Sequence, residues 1–155
     1  MRRLEALAPY PGDGPFDLAK LGTERELNVA YGGLAAGRVD GDFYFHAGRL
    51  SPVYTHDDLV AWDEGSAFTM ARLFTHLSDV TFARAHRARC PVVMMLGRQD
   101  TTTPSSITAE WMAALHATSK QVDWFEHSAH LPFIEEPGRF LQALLRDVLP
   151  LVKAR

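Results

Sequence analysis

An α/β fold is expected for this chain: two parallel strands with flanking helices, preceded by an irregular helical region. Three observations predict it. Two short apolar runs, Val92 to Leu96 and Val122 to Phe125, each lead into a polar loop. Between them lies a segment with helical spacing, Ile107, Trp111 and Leu115 at steps of four. A strand–helix–strand order supplies the crossover that parallel neighbouring strands need. In such a sheet both loops leave from the carboxyl ends of the strands. The first loop opens with Asp100 and the second carries His130. An acid and a histidine far apart in sequence are therefore expected to meet in space.

Length and composition bound the rest. At 155 residues, 46% hydrophobic and 23% charged, the chain suits one globular domain with a core. A net charge of −3 gives no basic footprint, so no nucleic-acid partner is expected. No apolar run approaches the roughly 20 residues that span a bilayer, so no membrane partner is expected either. Met1-Arg2-Arg3 is not followed by a signal-peptide apolar core, which makes the cytoplasm the default compartment. The single cysteine, Cys90, excludes an internal disulfide and a multi-cysteine zinc site, and it is expected to be a buried small hydrophobe.

Residues 1 to about 53 are rich in glycine and proline, and only short elements are expected there. Leu4 to Leu7 reads as a helix end cut by PYPGDGP. Phe16 to Leu21 and Glu24 to Ala30 read as two short helices. Tyr31-Gly32-Gly33 is a turn or a close backbone approach. Asp42 to His46 is extended or a helix start. The whole stretch needs another surface to lie on.

A firmer helix begins at Thr55, where Thr55-His56-Asp57-Asp58 has the form of a capping box. The box accounts for both acids, so His56, Asp57 and Asp58 need no metal to explain them. Gly65-Ser66 is expected to break this helix, and Ala67 to Leu77 to form a second. Arg84 to Arg89 is a solvated connector. The run at Val92 lacks alternation, as expected of a strand covered on both faces. Gly97 frees the backbone to turn, and Thr103-Pro104 offers a capping hydroxyl and a first-turn proline for the next helix. The second strand covers Gln121 to Glu126. Pro137 opens the last helix, whose apolar face carries Phe140, Leu141, Leu144, Leu145, Val148 and Leu149, and Pro150 ends or kinks it.

From Pro91 to about Leu149 the chain resembles the C-terminal end of an α/β-hydrolase. The resemblance rests on PVVMMLGRQD with Pro104 following, and on HSAHLPFIEEPGRF with an amphipathic helix after it. It implies that Asp100 is the acid and His130 the base of a catalytic triad. It also implies that Glu135-Glu136-Pro137-Gly138-Arg139-Phe140 opens the last helix. The upstream part resembles the cap of the proline iminopeptidase-like branch. The implied organisation is a helical cap, or lid, over residues 1–85 and the C-terminal part of the hydrolase core over 86–155. His127 is a decoy, and with no further ligand nearby it makes no zinc site with His130.

In that fold the nucleophilic serine sits on a G-x-S-x-G turn. None of Ser51, Ser66, Ser78, Ser105, Ser106, Ser119 and Ser128 has glycines two before and two after it. The expectation is thus the C-terminal part of a serine hydrolase, supplying acid and base without the nucleophile elbow and inactive alone. The implied chemistry is ester or amide hydrolysis, with removal of an N-terminal proline from small peptides as the nearest family activity. No cofactor is needed. The expected partners are a small-molecule or short-peptide substrate, if a missing half completes the site, and other copies of the chain through its open edges. The rival expectation is a non-catalytic fragment or interaction module derived from the same family.

Overall fold

The structure, a computed structural model, describes residues 2–9, 17–77 and 80–153. Most of the PYPGDGP breaker, together with Phe16 and Ser78, lies outside the described residues. The chain divides into two compact units, Met1–Glu24 with Asp40–Phe82, and Arg25–Val39 with Ala83–Arg155.

The first unit is helical. It holds α1 (Arg2–Glu5), the start of α2 (Leu18–Ala30), α3 (Asp42–Phe45), a 3₁₀ turn at Ala47–Leu50 and α4 (His56–Leu77). Asp17 starts α2 by accepting the N–H groups of Ala19 and Lys20, at 2.8 and 3.2 Å. The capping box at α4 forms reciprocally. Thr55 N–H donates to Asp58 Oδ2 at 2.9 Å, and Asp58 N–H donates to Thr55 Oγ1 at 3.2 Å. The bonds from Thr55 hold the Asp58 carboxyl below its ordinary range.

Two expectations fail here. α2 and α4 are each continuous, where the glycines predict breaks at Gly22 and Gly65. A lone glycine costs a helix about 1 kcal/mol relative to alanine, and 22 residues with a formed cap absorb that at Gly65. α4 nonetheless leaves Trp62, Phe68 and Leu73 exposed.

The second unit contains the sheet. β1 (Val92–Gly97) pairs in parallel with β2 (Lys120–Phe125), in register from Val92 opposite Lys120 to Gly97 opposite Phe125. A parallel bridge between Arg87 and His116 precedes it, so part of the basic connector is paired. Cys90 is exposed and lies outside the strand, because β1 starts only at Val92. The crossover helix α5 (Ser105–Ala114) buries Met112; of the three residues at steps of four, Leu115 just past its end is buried, Trp111 is half-buried and Ile107 faces solvent, so the expected stripe holds only towards the carboxyl end. Pro104 is its cap residue and no side chain caps it; the Thr103 hydroxyl is engaged elsewhere. Lys120 Nζ donates to the Met112 and Ala113 carbonyls at 2.8 and 2.7 Å, placing a cation at the carboxyl end of α5.

After β2 come α6 (Pro132–Glu135), α7 (Pro137–Ala143), a π turn at Leu144–Val148 and α8 (Leu149–Lys153). Pro150 therefore does not end the last helix. It follows directly on a widened turn, the local change that lets helical winding pass a residue with no N–H to donate. Phe125 is fully buried, and the Phe140 ring lies 5.9 Å from it. Leu141, Leu145 and Leu149 of the apolar pairs remain exposed. Residues Val92 to Leu96 are only half-buried, short of the two-sided cover that their apolar run predicts. Among the described residues no helix is long and apolar enough to cross a membrane.

Gly97 is needed for space rather than for turning. A Cβ there would collide with the Ala129 and Ser128 carbonyls of the histidine loop. Gly65 has open space around its missing Cβ. Gly65→Ala is expected to raise helix stability by about 1 kcal/mol, and Gly97→Ala to lower fold stability by about 3 kcal/mol or more. Thermal unfolding followed by circular dichroism checks both, and equal shifts would contradict this account of Gly97.

Candidate active site

The backbone brings the two loops together before any side chain does. Past β1, Arg98 N–H donates to the Phe125 carbonyl and Gln99 N–H to the Ser128 carbonyl, both at 2.9 Å. The loop that opens with Asp100 thus runs alongside the loop that carries His130. At the surface, Arg98 makes two bonds to Glu126, at 3.0 and 2.7 Å, with its guanidinium 3.7 Å above the Trp124 ring. That pair is about half exposed, so solvent screens it and it adds little to stability.

Asp100 and His130 meet. Asp100 Oδ2 lies 3.0 Å from His130 Nδ1. An ionised carboxylate only accepts, so the ring hydrogen sits on Nδ1 and Nε2 is left as the basic nitrogen. Thr103 completes the acid's surroundings. Its N–H donates to Oδ1 at 2.9 Å and its hydroxyl to Oδ2 at 3.1 Å. The Asp100 side chain is 8% exposed and that of His130 32%, so the acid is enclosed and the base reachable. Burial opposes ionisation of Asp100. The His130 bond, the Thr103 N–H, the attraction of the imidazolium and the Thr103 hydroxyl together outweigh it, and the carboxyl sits below its usual range.

Two further carboxylates hold the histidine loop. Glu135 accepts the N–H groups of Ala129 (3.0 Å to Oε2), Leu131 (3.1 Å to Oε2) and Ala36 (2.6 Å to Oε1). Glu136 Oε2 accepts the Ser128 hydroxyl at 2.7 Å and the His127 N–H at 3.2 Å. The His130 main chain is thus fixed from both sides, while His127 enters through its backbone. Sequence reasoning takes Glu135-Glu136 as a helix opener and misses this role. The available signal is a pair of acids one short turn after a histidine, in a loop whose N–H groups need acceptors.

A cavity of about 180 Å³ opens at the pair. Gly97, Asp100, Thr103, Ser105, Thr108, Ala129 and His130 are among its lining residues. Ser105 is buried at the start of α5, and Ser128 is committed to Glu136. Among the described residues no group of three or more His, Cys, Asp or Glu side chains is placed to hold a metal ion.

Comparison with known proteins finds partial similarity. The chain is 34% identical over 76 residues to a probable aminopeptidase, YbaC, of Bacillus subtilis, a match covering 46% of this chain and 24% of that protein. It is 39% identical over 75 residues to a proline iminopeptidase of Heyndrickxia coagulans, covering 48% of this chain and 22% of that protein. The match thus spans under a quarter of the length of these curated relatives. No family model matches the chain.

Two outcomes follow from the geometry. Asp100 has a depressed carboxyl, so its stabilisation is fully present above the ordinary aspartate value near 3.9 and fades as pH falls through the lower folded value. The stability gap between the native chain and Asp100→Asn is expected to shrink as pH falls below about 4. Urea unfolding between about pH 5 and 2 measures it, and a gap that widens below about pH 4 would contradict the assignment. Glu135→Ala strips three N–H groups of a charged acceptor and is expected to cost about 3 kcal/mol or more. The same unfolding experiment at pH 7 reads that cost.

Proposed function

We propose that this chain carries the acid and the base of a serine hydrolase of the α/β-hydrolase superfamily, in its proline iminopeptidase-like branch. The observation that carries the reading is the 3.0 Å contact of Asp100 with His130 Nδ1 rather than Nε2. It leaves Nε2 as the nitrogen that takes a proton, with the acid fixing the tautomer and stabilising the imidazolium. The two partial relatives support a peptidase origin.

The reaction follows from what such a pair does. A serine hydroxyl is weakly nucleophilic until a base removes its proton as it attacks a carbonyl carbon. His130 Nε2 takes that proton and returns it to the leaving amine or alcohol. Water then repeats the cycle on the acyl-enzyme. The substrate class is ester or amide, with N-terminal prolyl peptides first among candidates. The nucleophile and oxyanion donors belong to a portion of the fold that this sequence does not contain, and the helical unit acts as the lid. The completing portion covers the apolar faces of β1 and the last helix. Alone, the chain associates with itself through them.

The test joins the chain to the part of the Heyndrickxia coagulans proline iminopeptidase outside the matched segment, as a fusion or by co-expression. Prolyl-amide hydrolysis and fluorophosphonate labelling are expected from the assembly and neither from the chain by itself. His130→Ala is expected to remove nearly all turnover, Asp100→Asn about 10⁴-fold, and His127→Ala little. Full labelling and turnover with His130→Ala would overturn the reading. Specific labelling of the lone chain would overturn the incomplete-site part of it, and Ser105 would be the first residue to examine.

A further inference from the structure

The last turns of α2 and the segment after it touch both halves of the Asp100–His130 pair's surroundings. α2 ends at Ala30, and Gly32, at φ 80°, turns the chain off the helix. On one side the segment holds the acid loop. Asn28 Nδ2 donates to Thr101 Oγ1 at 3.0 Å, and the Thr102 hydroxyl lies 2.7 Å from Asn28 Oδ1 and 3.0 Å from the Gly33 carbonyl. Arg25 donates to the Thr102 carbonyl at 2.7 Å. On the other side it holds the histidine loop. The Leu34 carbonyl accepts the N–H of His130 itself at 3.1 Å, and Ala36 N–H donates to Glu135 at 2.6 Å. Gly33, Leu34 and Ala35 are buried.

We propose that residues 28–36 form a strap that sets the separation of Asp100 from His130, with Asn28 and Gly33 as its positioning residues. The bonds go to Thr101 and Thr102, directly after the acid, and to the backbone of the base. Simple packing of an apolar segment would not require polar bonds at those two places. Gly33 explains how the strap comes so close. A Cβ there would collide with Thr101 Oγ1 and lie 2.5 Å from Asn28 Oδ1, so alanine would push strap and acid loop apart. Catalytic pairs tolerate such displacement poorly, since about 1 Å of misplacement can cost 10²-fold in rate. The strap's part in turnover rests on the hydrolase reading; its effect on the pair does not.

The experiment uses the 155-residue chain and needs no activity. Proton NMR follows the hydrogen-bonded Nδ1–H of His130, and carbon NMR follows titration of the Asp100 carboxyl. Asn28→Ala, Gly33→Ala and Thr102→Val are expected to lose the Nδ1–H signal to exchange and to move the Asp100 midpoint upwards. Thr102→Ser, which keeps the hydroxyl, is expected to retain both native signatures. Ala143→Gly, which loosens a buried helical position elsewhere in the unit, is expected to leave both unchanged. Native signatures in folded Asn28→Ala and Thr102→Val would overturn the proposal, whatever becomes of Gly33→Ala. An equal loss in Ala143→Gly would also overturn it, because general loosening would then suffice. In the completed enzyme Asn28→Ala should lower kcat with KM nearly unchanged. A completed protein without hydrolase activity would remove the catalytic reading and leave the NMR result standing.

Discussion

The close approach of the two loops at the end of β1 depends on Gly97, where the Ala129 carbonyl occupies the space a Cβ would take. A side chain at that point would lift the histidine loop away from the end of β1. The bonds from Arg98 and Gln99 would then be lost, and Asp100 could no longer reach Nδ1. Parallel pairing delivers both loops to one edge. There main chain packs directly on main chain, and only a residue without a Cβ permits it.

Once the loops are that close, their polar groups must be satisfied in a small space. Three carboxylates do most of this. Asp100 takes the Thr103 N–H and hydroxyl, Glu135 takes three backbone N–H groups, and Glu136 takes one N–H and the Ser128 hydroxyl. The imidazole is oriented by the first and its backbone is anchored by the other two. Orientation and anchorage therefore come from different acids, which is why Nε2 stays uncommitted to either.

Much of this was legible in the sequence, for a physical reason. Apolar runs without alternation, a helical spacing between them and an acid at a strand end are local patterns, and they placed Asp100 and His130 at one edge. The Thr55–Asp58 box was legible because its bonds span three residues. What could not be read depends on distant chain. Nothing near Gly33 tells that Thr101 lies against it, and nothing near Glu135 tells that Ala36 does. The breaks predicted at Gly22 and Gly65 failed differently: local propensity was read correctly as a penalty, but the penalty is small beside what a capped, long helix gains.

Because so many contacts at the site end on main-chain atoms, those hydrogen bonds do not themselves dictate the side chains that carry them; burial does that for Ala129 and Leu131. His127, Ala129 and Leu131 present N–H groups or carbonyls that any residue other than proline would offer to Glu135 and Glu136. The parts whose chemistry no other side chain would reproduce are then few: two glycines, three acids and one histidine.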